Sequence, residues 1–159
     1  WKKWKSKRGA KLVYSNGTTI THQSGFGVHF EGEDGDVKVN RGRFVFSLKG
    51  KEIAKFEKRG DGSLGSALQT AEKTFLNNAK VKLYKSTHHI RDFLSSVESR
   101  KKPITNEVVG GRSAICCHLM NQTYYNGEVI KWDPKTNTLS EQTGKPEWLT
   151  RDYRGIWKV

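Results

Sequence analysis

Residues 110–120 read GGRSAICCHLM and hold both cysteines of the chain, Cys116 and Cys117, directly followed by His118. Thiol and imidazole side by side raise two chemistries, metal ligation and thiol redox work. Structural zinc asks for two pairs of ligands, a spacing such as C-x2-C plus a second pair elsewhere, and this chain has no second pair. Neighbours on a helix also diverge by about 100°, so Cys117 and His118 do not converge on one ion from regular helix geometry. Adjacent cysteines are strained partners for a disulfide, which leaves no disulfide framework within the chain. The expected role of the cysteines is therefore packing, as small core-side residues of a helix, and no metal site is assigned. His118 is retained as a candidate substrate contact.

Two other stretches could bind an anion. His88 and His89 fall in the first turn of an expected helix, where the positive dipole end attracts phosphate or carboxylate. RDYR (151–154) could clamp an anion between Arg151 and Arg154, although arginines around a tyrosine also serve packing. His89 and Arg151 join His118 as substrate-contact candidates. GEDG (32–35) and GDGSLG (60–65) lack the strand-to-helix context of a dinucleotide loop, and P-loop, G-x-S-x-G and H-E-x-x-H motifs are absent from the sequence. No catalytic and no cofactor-binding residue is assigned.

The elements that would position these groups follow from periodicity. KLVYSNGTTITHQ (11–23) predicts a hairpin around Asn16-Gly17, with a two-residue turn that sets Val13 opposite Ile20. Phe26, Val28 and Phe30, then Val37 and Val39, then Phe44, Phe46 and Leu48 alternate, with GEDG turning the chain, and so predict an antiparallel meander with one apolar face. The charged stretch 49–63 reads as a connection with one short strand at 53–56. Leu64, Leu68, Ala71 and Phe75 recur at helical spacing, and VKLY (81–84) reads as a strand. Ser86 is a plausible cap for a helix whose Ile90, Phe93, Leu94 and Val97 form a buried stripe, ended by Lys101, Lys102 and Pro103. Thr105 or Asn106 caps the next helix, which carries GGRSAICCHLM and stops at Gly127. VIKWD (129–133) returns to strand, DPKTNT (133–138) turns, and the tail KPEWLTRDYRGIWKV reads as an extended arm. Strands before helices, without βαβ units, indicate an α+β domain with an open, largely antiparallel sheet and helices on one face.

The chain has 159 residues, 34% of them hydrophobic, which predicts one domain over 1–159. No run approaches the roughly 20 apolar residues of a membrane span, and WKKWKSKRG lacks a signal-peptide centre, so a cytoplasmic protein without membrane attachment is expected. Lys and Arg number 29 against 16 Asp and Glu, a net charge of +13. Charge alone favours polyanions, but the acids interleave from Glu31 to Glu57, and no RNA-binding aromatic-basic strand motif is present, which argues against nucleic acid as the partner.

Taken in order, YSNGTTITH (14–22), VHFEGEDGDVKVNRGRF (28–44), STHHIRDFLSSVESRKKPI (86–104), VVGGRSAICCHLMNQTYYNGEVIKWDP (108–134) and WLTRDYRGIWKV (148–159) resemble the C-terminal domain of the glucose-fructose oxidoreductase/inositol dehydrogenase (Gfo/Idh/MocA) family, of the bacterial dehydrogenase type. The resemblance implies a dihydrodipicolinate-reductase-like C-terminal domain whose open sheet serves substrate binding and homo-oligomer contacts, next to a Rossmann domain that holds NAD or NADP. That N-terminal domain is absent from this sequence, together with the family's catalytic lysine and Asp/His pair, so no catalytic residue carries over. Gly111 stands where relatives read the histidine of G-H-R-S.

The function expected is thus that of the substrate-side and oligomerisation domain of an NAD(P)-dependent sugar or polyol oxidoreductase, inactive alone and binding no cofactor by itself. Two other classes compete with it, a non-catalytic carbohydrate-binding or scaffold module and a basic nucleic-acid-binding domain.

Overall fold

Four strands in unbroken succession form the largest sheet among the described residues of the computed structural model, which describes residues 8–82, 84 and 86–156. The described residues form two compact units, one within 24–88 and the other within 8–23 and 89–156. The basic positions Lys2, Lys3, Lys5 and Lys7 and the last three residues of the tail lie outside the described residues, as does Leu83 of the strand read at 81–84. Val81, Lys82 and Tyr84 are not in a strand. The chain is α+β, with open antiparallel sheets, as its patterning predicts.

In the 24–88 unit, β3 (Val28–Glu31), β4 (Gly35–Asn40), β5 (Arg43–Leu48) and β6 (Lys51–Phe56) pair in chain order. The register sets Phe30 opposite Val37, Val37 opposite Phe46, and Phe46 opposite Ala54, so every apolar residue of the alternation reaches one face. A bulge between Phe46 and Ser47 shifts the β5–β6 register by one residue and keeps Glu52 opposite Ser47. Helix α1 (Leu64–Ala71) lies on that apolar face against β5 and β6. Ser63 caps it by accepting the Ser66 N–H at 3.1 Å. The core is Phe44, Ala54, Ala67 and Ala71, with Val37, Val39, Phe46, Phe56 and Leu64 around it. Ala67, rather than the expected Leu68, takes the buried helical position, and Leu68 stays exposed; small residues let the helix backbone approach the sheet. The chain beyond α1 widens into one π-helical turn at Glu72–Leu76, and the ring of Phe75 meets Phe46 edge-on at 5.2 Å.

In the other unit, β1 (Lys11–Val13) and β2 (Thr19–Thr21) form the expected hairpin with a different turn. Leu12, not Val13, faces Ile20. Only Gly17 has positive φ, Gly17 N–H donates to Tyr14 C=O at 2.9 Å, and Asn16 spends its side chain accepting the Thr18 N–H at 3.0 Å. The result is a three-residue loop with a bulge, which displaces the register by one. Helix α2 (His89–Ser99) carries Ile90, Phe93, Leu94 and Val97 on one side as read, but these are between 46% and 59% exposed instead of buried. Helical spacing aligns such a stripe; only a neighbouring element can cover it. Helix α3 (Glu107–Asn126) starts at Asn106, whose side chain accepts the N–H groups of Val108 and Val109, and ends at Gly127 in the left-handed conformation. The later strand is shorter than read: β7 (Trp132–Asp133) pairs with β8 (Thr138–Leu139).

Candidate functional site

Two side-chain clusters are the candidates for chemistry. The first joins the β1–β2 hairpin to α3. Tyr124, the most buried side chain in the described core at 4% exposure, accepts the N–H of Ala10 at 3.2 Å and lies 2.6 Å from His22 Nδ1. The two rings meet edge-on with centroids 5.7 Å apart. A phenol hydroxyl that accepts from Ala10 can still donate its hydrogen to an imidazole nitrogen. Two turns back on α3, Cys116 Sγ lies 3.6 Å from Tyr14 Oη. That hydrogen bond, then partial burial, holds the Tyr14 phenol above its ordinary pKa. Cys116 is half-buried in this contact, whereas Cys117 is exposed, which corrects the expectation that both pack inward. Consecutive helical residues point about 100° apart, so only one can meet the hairpin.

The second cluster lies on the outer face of the four-stranded sheet. His29, Lys38, Val45 and Lys55 form one cross-strand row, and Glu31, Asp36, Ser47 and Glu52 form the next. Ion pairs link the rows: His29 Nε2 reaches Asp36 Oδ2 diagonally across the strands at 3.0 Å, and along single strands Lys38 lies 3.7 Å from the same oxygen and Lys55 3.5 Å from Glu52. Desolvation raises the Asp36 carboxyl, but the hydrogen bond to His29, the charge of Lys38 and the Ser47 hydroxyl outweigh it and leave the group below the ordinary carboxylate range. Val45 is only 7% exposed although it sits on this polar face, flanked in its row by two lysines whose aliphatic stems suit such cover. A carboxylate that orients an imidazole is half of a nucleophile-activating set. Here the neighbouring hydroxyl, Ser47, is hydrogen-bonded to Asp36.

The turn Glu31–Asp36 has a concavity on either side. One, of about 320 Å³, lies beside His29, Lys38 and Lys49. The other, of about 590 Å³, is floored by Phe30, Val37, Phe46 and Leu48.

The residues singled out in the sequence are placed apart. His89 opens α2, His118 lies in the middle of α3, and Arg151 belongs to the C-terminal segment, all three exposed. None of them lines either concavity. Among the described residues no group of three or more His, Cys, Asp or Glu is placed to hold a metal ion. No helix of the described residues is long and apolar enough to cross a membrane. The His29–Asp36 pair was open to sequence reasoning, because a turn at 32–35 with Phe30 facing Val37 brings the two within one diagonal step. Nothing local marks His22, Tyr14, Cys116 and Tyr124 as neighbours. Compared with protein-family models, curated proteins and solved structures, the chain matches none.

Proposed function

We propose that the chain is the substrate-side and subunit-associating part of an NAD(P)-dependent oxidoreductase acting on a sugar or polyol, without dehydrogenase activity of its own. The observation that supports this reading is the sheet β3-β4-β5-β6: α1 packs on one face over β5 and β6, and the other face carries a set of ion pairs. Such a face is wetted when alone and can exchange its pairs with a second polar surface, as a platform for subunit contact requires. The hydride step would belong to a nicotinamide held by a separate nucleotide-binding domain, and this part would orient the hydroxyl-bearing carbon. His118, His89 and Arg151, all exposed, are the proposed sugar contacts. The free thiols of Cys116 and Cys117 accord with a cytoplasmic setting.

The coding sequence upstream of Trp1 tests the proposal. An in-frame segment encoding a βαβ unit with G-x-G-x-x-G supports it, and an initiation codon adjoining Trp1 overturns it. The polypeptide of residues 1–159 should self-associate by light scattering at micromolar concentration and should turn over no sugar or inositol with NAD or NADP.

A further inference from the structure

Positions 31–36 hold four carboxylates, Glu31, Glu33, Asp34 and Asp36, and no lysine or arginine, in a chain of net charge +13. Asp36 is spent on His29 and Lys38, while among the described residues no cation pairs with Glu31, Glu33 or Asp34. These acids rim the groove of about 590 Å³ whose floor is Phe30, Val37, Phe46 and Leu48. α1 packs on β5 and β6, and toward β3 the same apolar face is left open, with Val28 52% and Phe30 61% exposed. Strand β3 also pairs on one side only among the described residues, so its outer N–H and C=O groups form an available edge.

From these observations we propose that the groove and the β3 edge dock an extended basic peptide with apolar side chains at alternate positions. Its backbone adds to β3, one apolar side chain enters the groove beside Phe30, and its lysines or arginines meet Glu31, Glu33 and Asp34. Period-2 alternation places anchor and charge on opposite sides of such a strand, and the main-chain hydrogen bonds supply affinity that does not depend on sequence. Charge selects the occupant: three uncommitted carboxylates repel acidic peptides and nucleic acid, and the basic remainder of the surface repels a cationic peptide from other places.

The probe is a fluorescently labelled peptide alternating lysine with tryptophan and valine, titrated into the polypeptide of residues 1–159. Binding in the micromolar range is expected, weakened about tenfold or more, some 1.4 kcal/mol, by Glu33→Lys with Asp34→Lys, both on an exposed turn. Phe30→Ala should weaken it similarly, with circular dichroism confirming the fold. Amide shifts in the NMR spectrum should concentrate at Val28–Glu31. The proposal is overturned if the peptide does not bind, if the charge-reversed variant binds it equally well, or if a peptide with alanine for tryptophan and valine binds as tightly. It is also overturned if the shifts map to the exposed stripe of α2. Self-association of the protein abolished by Glu33→Lys would assign the groove to a second copy and likewise sink it.

Discussion

His22 Nδ1 and Tyr124 Oη lie 2.6 Å apart although 102 residues separate them in the chain. With the Ala10 N–H on the same oxygen, this hydroxyl ties both strands of the β1–β2 hairpin to the end of α3. Tyr124→Phe keeps the ring and removes the oxygen, which leaves the buried Ala10 N–H without this acceptor. We expect a loss of about 1–3 kcal/mol in urea unfolding. An unchanged midpoint would show that the hairpin does not depend on this contact.

Gly35 opens β4 where the backbone of β5 passes close by. A Cβ built there would stand 2.2 Å from the carbonyl oxygen of Ser47, so Gly35→Ala must push two strands apart. A destabilisation of about 1–3 kcal/mol is expected, the range for overpacking. Because the turn Glu31–Asp36 moves with it, peptide binding at the groove should fall in the same variant.

Gly111 gives the opposite result. It lies inside α3 with ordinary helical φ, and a Cβ there would meet nothing within 4 Å. Gly111→Ala should raise stability by roughly 0.5–1 kcal/mol, because alanine loses less backbone entropy on entering a helix. A thermal midpoint that fell instead would show that the position touches something outside these residues.

Asp61 gives a pH dependence with a defined sign. Its carboxylate accepts the N–H groups of Glu57 at 2.9 Å and Lys58 at 3.2 Å. The Glu57 bond is the leading cause that holds its pKa below the ordinary carboxylate value. A depressed folded pKa contributes stability that is present above the unfolded value of about 3.9 and is lost as pH falls through the folded one. Between neutral pH and about 5 the difference in stability between the native chain and Asp61→Asn should therefore be constant, and it should shrink in more acidic solution. A difference that grew on acidification would contradict the assignment.

Phe93 tests the exposure of α2. Truncation of a buried phenylalanine costs about 3–5 kcal/mol. At 59% exposure Phe93→Ala should cost less than about 1 kcal/mol in the isolated chain. A loss in the larger range would mean that the stripe is covered in solution.

The meander was legible because period-2 alternation and a short turn leave one register that puts Val28, Phe30, Val37, Val39, Phe44 and Phe46 on a single face. The same local logic narrowed the start of α3 to Thr105 or Asn106 and located its end at Gly127, since orphan N–H and C=O groups at helix termini require such residues nearby. The outer-face pair His29–Asp36 follows from that register too. The Asn-Gly turn was misread for a physical reason of its own: Asn16 used its side chain on Thr18 N–H and kept a negative φ.

The sequence by itself thus determined the α+β class, the strand order of the meander and, to within one residue, the ends of α3, because backbone sterics and side-chain period act over a few residues. Only the tertiary structure decided that Cys116 rather than Cys117 meets Tyr14, that Tyr124 holds His22 and Ala10, and that the α2 stripe is left open. Those outcomes depend on which distant surfaces close on one another. That is set by packing and hydrogen-bond satisfaction across about a hundred residues, which no local pattern encodes.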